Sequence, residues 1–185
     1  TPLYSSAASD VYKRQEFGVL TFHAVNETED MLYHGKACIS TFKIGDEEFG
    51  QTRQHIIHTG LPLELQTEAV EPVDRVEPVE LALAAMGDCV IGTINIYALL
   101  NDIDVDRVSA EVSAPVDTAV LLDLADLEQR HDMYGPLQIN VQIEGDSLTE
   151  ADRRFLEEQA LRSPVFNLIA LDHDVMPVVT ISNAD

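Results

Sequence analysis

Cys89 lies inside an almost uninterrupted apolar run, PVELALAAMGDCVIGTINIYALL, directly after Asp88. A thiol becomes a nucleophile when a cation, a helix N-terminus or a hydrogen bond stabilises its thiolate. Asp88 has the wrong charge for this, and a helix over this run begins about three turns earlier, so its positive end is out of reach. The residues alone therefore favour a small structural core residue, and a reactive thiol is the alternative.

The histidines do not predict a metal site. His55 and His58 are three residues apart in RQHIIHTG, and on a strand this spacing points them to opposite faces. The motif LDHD, residues 171–174, falls in a predicted turn before the last strand. The sequence also has no glycine-rich phosphate loop. We therefore assign no metal and no cofactor.

The apolar run around Cys89 predicts a long helix over residues 78–101. Proline suits the first helical position, and Glu77 and Glu80 are favourable near the positive end of the helix dipole. The helix is apolar on nearly every side, so other elements must bury most of it. A membrane span is the competing interpretation, but Asp88 near the centre would cost about 2.5–3.5 kcal/mol on insertion.

Strand-like segments flank this helix. FGVLTFHAV and YHGKACISTFKIG predict an N-terminal meander of about three antiparallel strands, with GDEEFG as a hairpin connection, and residues 68–78 predict a loop. RVSAEVSAPV and PLQINVQIEG alternate as strands do, and the acidic segment 117–134 that joins them is partly helical by pattern. Ser147 and Glu150 have capping-box spacing and predict a second, amphipathic helix that stops before Pro164. MPVVTIS predicts a final strand.

Length and cysteine content predict one domain in a reducing compartment. The chain has 185 residues, of which residues 16–185 form the predicted domain. Residues 1–15, TPLYSSAASDVYKRQ, have neither hydrophobic periodicity nor the apolar region of a signal peptide, and predict a disordered or extraneous leader. Cys38 and Cys89 are too few for a disulfide framework, so we expect a cytoplasmic location.

The helix and the segments after it resemble the OsmC family, the osmotically induced and organic-hydroperoxide-resistance proteins. The resemblance covers roughly residues 71–182 and rests on Pro-x-Glu-Leu, a run of small and apolar residues, Cys89, and a later Ser-Pro-Val. It implies an α+β, OsmC-like fold, with which the order of the predicted elements agrees. In that fold, antiparallel sheets pack on a long buried central helix and two chains intertwine as a homodimer. A helix that is apolar on every side suits a subunit whose partner covers part of it.

The same resemblance implies a chemistry for Cys89. The matching family cysteine attacks a hydroperoxide and becomes a sulfenic acid, and a second cysteine before Pro-Val resolves it as a disulfide. Ser163 stands at that second position, and a hydroxyl cannot close the disulfide. Ser163 also suits the N-cap of a short helix that begins at Pro164. The hydroperoxide-reductase branch has glutamate directly after the motif proline, whereas this chain has Val79 there and Glu80 one place later, as in the less characterised OsmC-like branch.

The resemblance identifies Cys89 and Glu80 as the candidate catalytic residues. The implied activity is an oxidative-stress peroxidase that reduces an organic hydroperoxide with electrons from an external thiol. The family's activating arginine belongs to the N-terminal strands, where Arg53 is the nearest candidate. The alternative is an OsmC-fold homodimer without turnover that binds a small apolar ligand at the subunit junction. The absence of a second thiol at Ser163 is the sequence feature that separates the two functions.

The charge balance argues against nucleic-acid and membrane-surface partners. Eleven Lys and Arg residues against 33 Asp and Glu residues give a net charge of −22, which repels phosphate backbones and anionic lipid. An acidic excess with scarce lysine is typical of proteins from high internal salt, that is, of halophiles. A merely acidic cytosolic protein is the alternative.

If the acidity is an adaptation to salt, we expect the melting temperature to rise as KCl is increased toward molar concentration, because salt screens the repulsion between surface carboxylates. Thermal unfolding followed by circular dichroism across a KCl series measures this, with a protein of ordinary net charge in the same series as the control. A melting temperature that stays flat or falls with KCl contradicts the high-salt interpretation.

Overall fold

The α+β class predicted from the sequence is the class of the structure, a computed structural model that describes residues 19–29, 33–66, 73–173 and 175–181. The predicted leader, residues 1–15, lies outside this range. Contacts divide the chain into two compact units, Thr1–Ala84 and Ala85–Asp185, with the division inside the long helix. The strands that pair in each unit are antiparallel, as the sequence predicts.

The N-terminal unit has six short strands in place of the predicted meander of three. They form two three-stranded sheets, one in the order β1-β4-β5 and the other in the order β2-β3-β6. The prediction is wrong because the chain passes from one sheet to the other after Phe22, after Ile39 and after Phe49. β-branched and aromatic residues indicate strands but do not show which strands pair. The strands are β1 (Leu20–Phe22), β2 (Val25–Thr28), β3 (Gly35–Ile39), β4 (Phe42–Ile44), β5 (Glu47–Phe49) and β6 (His55–Thr59).

The connection between β4 and β5 is a tight hairpin, as GDEEFG predicts. Ile44 pairs with Glu47, so Gly45 and Asp46 alone make the turn. Gly45 has a φ of 59°, the left-handed backbone that a two-residue turn beginning with glycine needs. Part of the predicted connection, Glu47–Phe49, is itself strand β5. Of the predicted loop 68–78, residues 73–77 are described and contain only an isolated bridge between Val76 and Thr59.

Helix α1 (Pro78–Leu100) ends one residue before the predicted boundary. In its first turn, the Glu80 carboxylate accepts a hydrogen bond from the Glu77 N–H at 3.0 Å. One face is buried in the core through Val90, Ile94 and Ala98. The predicted burial on most sides is not reached within one chain, because Ile96, Leu99 and Leu100 are 37%, 45% and 43% exposed.

By length and composition, α1 could also cross a membrane. Core helices of soluble proteins share these properties, so the observation is weak evidence for a span.

The C-terminal unit packs two further helices and a strand pair against α1. Strands β7 (Arg107–Ser113) and β8 (Gln138–Glu144) pair over their full lengths, as predicted. In β8, half-buried Ile139, Val141 and Ile143 alternate with exposed residues and pack on the core of α1 and Leu156. The joining segment is partly helical, as predicted, with a 3-10 helix at Leu127–Asp132. Helices α2 (Glu150–Ala160) and α3 (Pro164–Ala170) follow.

The predicted cap of α2 is wrong by two residues. Thr149 caps the helix in place of Ser147. Because α2 begins at Glu150, this glutamate is the first helical residue, whereas the acid of a capping box is the third. The Thr149 hydroxyl accepts from the Asp152 N–H at 3.1 Å, and the Asp152 carboxylate accepts from the Thr149 N–H at 2.9 Å. The Thr149 hydroxyl also donates to the Asp152 carboxylate at 2.5 Å, and this hydrogen bond, followed by the one from the Thr149 N–H, lowers the pKa of Asp152.

The predicted final strand is also wrong over its described part. Residues 175–181 have no regular secondary structure. Val178 and Ile181 are 94% and 87% exposed. A β-strand is held by backbone hydrogen bonds to a neighbouring strand. Within the described part of the chain, no strand pairs with this segment.

Candidate functional site

Cys89 is a free, half-buried cysteine on α1. It precedes Val90, a core residue that is only 2% exposed. The Thr93 hydroxyl donates a hydrogen bond to the Cys89 carbonyl oxygen at 2.8 Å. The thiol is therefore neither consumed in a disulfide nor enclosed in the core.

Two glycines of α1 show which sides of the helix are covered near Cys89. A Cβ atom at Gly87 would lie 3.2 Å from Val112 Cγ2, so this side packs closely on β7. A Cβ atom at Gly92 would have no neighbour within 4 Å, so the side one turn after Cys89 is open. Asp88 is exposed. Within the described part of the chain, no residue therefore covers the helix at Gly92.

Glu80, the predicted catalytic partner of Cys89, has a structural role in the helix start. Its carboxylate is occupied by the Glu77 N–H. Residues nine positions apart in an α-helix are separated by about 13.5 Å along the axis and point to roughly opposite sides. Helix α1 itself therefore does not bring Glu80 to Cys89. A catalytic role of Glu80 together with Cys89 stays a prediction.

Arg53, the candidate activating arginine, is held in the N-terminal unit. Its guanidinium donates to the Ser40 carbonyl oxygen at 3.3 Å and lies 5.6 Å from the centre of the Phe42 ring. Its action on Cys89 stays a prediction. The second cysteine, Cys38, is a free, half-buried residue of β3.

Ser163, at the position of the family's second cysteine, is a fully buried helix cap. Its side chain is 0% exposed, and its Oγ accepts a hydrogen bond from the Phe166 N–H at 3.3 Å. Pro164 is the first residue of α3. The interpretation of Ser163 as an N-cap is confirmed.

The structure also contains a charged cluster that the sequence analysis missed. The Glu29 carboxylate contacts the Arg75 guanidinium and lies 3.0 Å from His58 Nδ1. The hydrogen bonds from His58 and from Arg75, in that order of size, lower the pKa of Glu29. The cluster ties the end of β2 to β6 and to the segment before α1. No local sequence motif predicts this cluster, because His58 and Arg75 are 29 and 46 residues away from Glu29 in sequence.

A comparison with protein-family models matches residues 72–175, more than half of the chain, to the family described as OsmC-like protein. The chain belongs to the OsmC-like family. The match includes α1 with Glu80 and Cys89, the β7–β8 pair, and Ser163. A comparison with curated proteins finds no match.

Three solved structures are similar to this chain at low sequence identity. A structure described as an osmotic stress induced and detoxification response protein from Psychrobacter arcticus is 18% identical and has a TM-score of 0.50, covering 82% of this chain and 89% of its own. An OsmC-like protein from Mycoplasma pneumoniae is 14% identical, with a TM-score of 0.49 and coverages of 81% and 87%. An organic hydroperoxide resistance protein from Legionella pneumophila is 15% identical, with a TM-score of 0.46 and coverages of 80% and 89%.

We expect Ser163→Ala to lower the free energy of unfolding by about 1 kcal/mol, because it removes the oxygen that accepts from the first turn of α3. Urea denaturation of both proteins measures the change. Ser147→Ala is the matched control, since Ser147 is exposed and caps no helix, and it should change the free energy by less than about 0.5 kcal/mol. Equal effects of the two substitutions would contradict the capping role.

Proposed function

We propose that this OsmC-like protein reduces organic hydroperoxides through Cys89, with an external thiol as the reductant. The observation that carries the proposal is a free, half-buried cysteine at the motif position of α1, a helix that has open space at Gly92. Membership of the OsmC-like family supports a redox or stress-response role. The reducing cytoplasm, which we propose as the location, would supply the thiol.

The proposed cycle begins with attack of the Cys89 thiolate on the outer peroxide oxygen. The S–O bond forms as the O–O bond breaks, and the leaving alkoxide takes a proton and departs as the alcohol. Cys89 is then a sulfenic acid, oxidised by two electrons. One external thiol displaces water and forms a mixed disulfide with Cys89, and a second releases the Cys89 thiol and leaves as the symmetric disulfide. Two thiols are therefore oxidised for each hydroperoxide reduced.

Activation of Cys89 needs a group outside the local sequence. The thiolate is the nucleophile, and a nearby cation favours it. Helix α1 supplies no such cation, because Asp88 is the charged neighbour and the helix start is more than two turns away. We propose that an arginine of the N-terminal strands or of a second subunit provides the charge, with Arg53 as the first candidate.

An alternative function is supported by Ser163. Its buried oxygen caps α3, so this chain has a structural residue where a second thiol would resolve the sulfenic acid. A chain of this kind could instead bind a small apolar molecule at the subunit junction without turnover. Oxidation of Cys89 separates the two functions.

We expect cumene hydroperoxide to convert Cys89 to a sulfenic acid that dimedone traps, without a Cys38–Cys89 disulfide. Turnover should be slow and should depend on an added small thiol, because the chain has no resolving cysteine at Ser163. Without that thiol, excess hydroperoxide should drive Cys89 to the irreversible sulfinic acid. Intact-mass analysis with peptide mapping identifies each product, and alcohol formation measures turnover.

The two single-cysteine variants are matched controls for this experiment. Cys89→Ser should abolish both the adduct and the turnover, whereas Cys38→Ser should leave both unchanged. If Cys89 stays unmodified under excess hydroperoxide while circular dichroism shows a folded chain, the peroxidase proposal fails and the binding function is favoured.

We also propose that the chain is a homodimer whose contact includes the outer face of α1. Ile96, Leu99 and Leu100 are large apolar residues on this face, and each is more than a third exposed within one chain. An isolated subunit would leave them in water together, and contiguous apolar patches on monomers are usually small.

Light scattering at micromolar concentration should therefore give about twice the 20.4 kDa mass of one chain. Leu99→Asp should shift the mass toward that of a monomer, because it would place a charge in the contact. Leu121→Asp is the matched control, since Leu121 is 72% exposed on the joining segment rather than on α1, and it should leave the mass unchanged. A stable monomer of the unaltered chain would reject the proposed dimer.

A further inference from the structure

A cleft of about 360 Å³ lies within the C-terminal unit, between β8 and α2. Its walls are aliphatic: Ile94 of α1 lies at the bottom, and Ile139, Val141 and Ile143 of β8 form one side. Ile94 is only 1% exposed, so the cleft reaches the core. Protein cores are normally packed as densely as organic crystals, so a space of this size next to the core is unusual. Small-molecule sites have volumes of about 300–1,000 Å³. The cleft is therefore large enough for a small ligand.

Helix α2 places two opposite charges at the cleft. Arg153 and Glu157 both line it, and they are one helical turn apart. Within the part of the chain that the structure describes, neither makes an ion pair or a side-chain hydrogen bond. An acid placed before a base is the favourable order for pairing along a helix, and here the base comes first. Both groups are thus available to a molecule in the cleft.

We propose that the cleft binds a small zwitterion with an aliphatic body, either a branched aliphatic amino acid or a short aliphatic peptide with both termini free. The carboxylate would pair with Arg153, the ammonium with Glu157, and the aliphatic part would cover the Ile and Val side chains. A simple carboxylate would meet repulsion from Glu157 and from a chain of net charge −22. A simple amine would meet Arg153. A zwitterion satisfies both charges and carries no net charge.

Isothermal titration calorimetry of the full chain tests this with four probes. L-leucine and L-leucyl-L-leucine have both charges, 4-methylpentanoate lacks the ammonium, and 3-methylbutylamine lacks the carboxylate. We expect at least one zwitterion to bind with a dissociation constant of about 1 mM or tighter, and each singly charged analogue to bind at least about tenfold more weakly. The stronger of the two zwitterions identifies a free amino acid or a peptide as the natural class.

The chain provides a matched control next to each proposed contact. Arg153→Met and Glu157→Gln should each weaken binding by about tenfold. Arg154→Met and Glu158→Gln should change it by less than about twofold, because neither residue lines the cleft and Arg154 already pairs with Glu150 at 3.1 Å. Ala160→Phe should abolish binding by filling the cleft, and its melting temperature checks that the chain still folds.

The inference is independent of the chemistry at Cys89, so Cys89→Ser should bind the zwitterion as the unaltered chain does. Failure of both zwitterions to bind at 10-fold the expected dissociation constant would overturn it. Equal binding of 4-methylpentanoate and L-leucine, or equal weakening by Arg153→Met and Arg154→Met, would overturn it as well.

Discussion

The burial of α1 is the constraint on which the rest of the C-terminal unit depends. A helix of 23 residues with so few polar positions is stable in water only where other elements cover it. Leu156 of α2 and the inward side chains of β8 cover one face, and glycine at position 87 allows β7 to approach the helix closely. The direction in which Cys89 points is therefore fixed by core packing around its neighbours, before any contact with a reactant.

Elements with strong local signals could be predicted from the sequence, whereas their long-range partners could not. Helix α1 and strands β7 and β8 agree with the prediction because their patterns lie within one continuous segment. The two N-terminal sheets and residues 175–181 differ from it, because strand formation depends on which distant segment offers a hydrogen-bonding edge. The cap of α2 failed for a subtler reason: Ser147 and Thr149 each have an acid three residues later, and only the start of the helix decides between them.

The candidate site divides in the same way. Cys89 was identified through its family motif, since its immediate neighbours gave no reason to expect a reactive thiol. The Ser163 cap followed from two adjacent residues, Ser and Pro, and is confirmed. By contrast, Glu29 meets Arg75 and His58 only after folding, and Arg153 faces the cleft only because α2 packs beside β8. The spacing of these residues along the chain predicts neither arrangement.

The buried cap at Ser163 depends on a single atom, the oxygen of its side chain. Oxygen in this side chain is a good acceptor for the first turn of α3, whereas sulfur is a weak one. A cysteine here would hold the helix start less firmly, and the family resemblance implies that it would resolve an oxidised Cys89. If Cys89 is oxidised as we propose, chains with serine at this position keep the firmer helix and depend on molecules in solution to reduce Cys89. Their catalytic rate, if they turn over, would then report the thiol supply of their surroundings rather than a property of the protein alone.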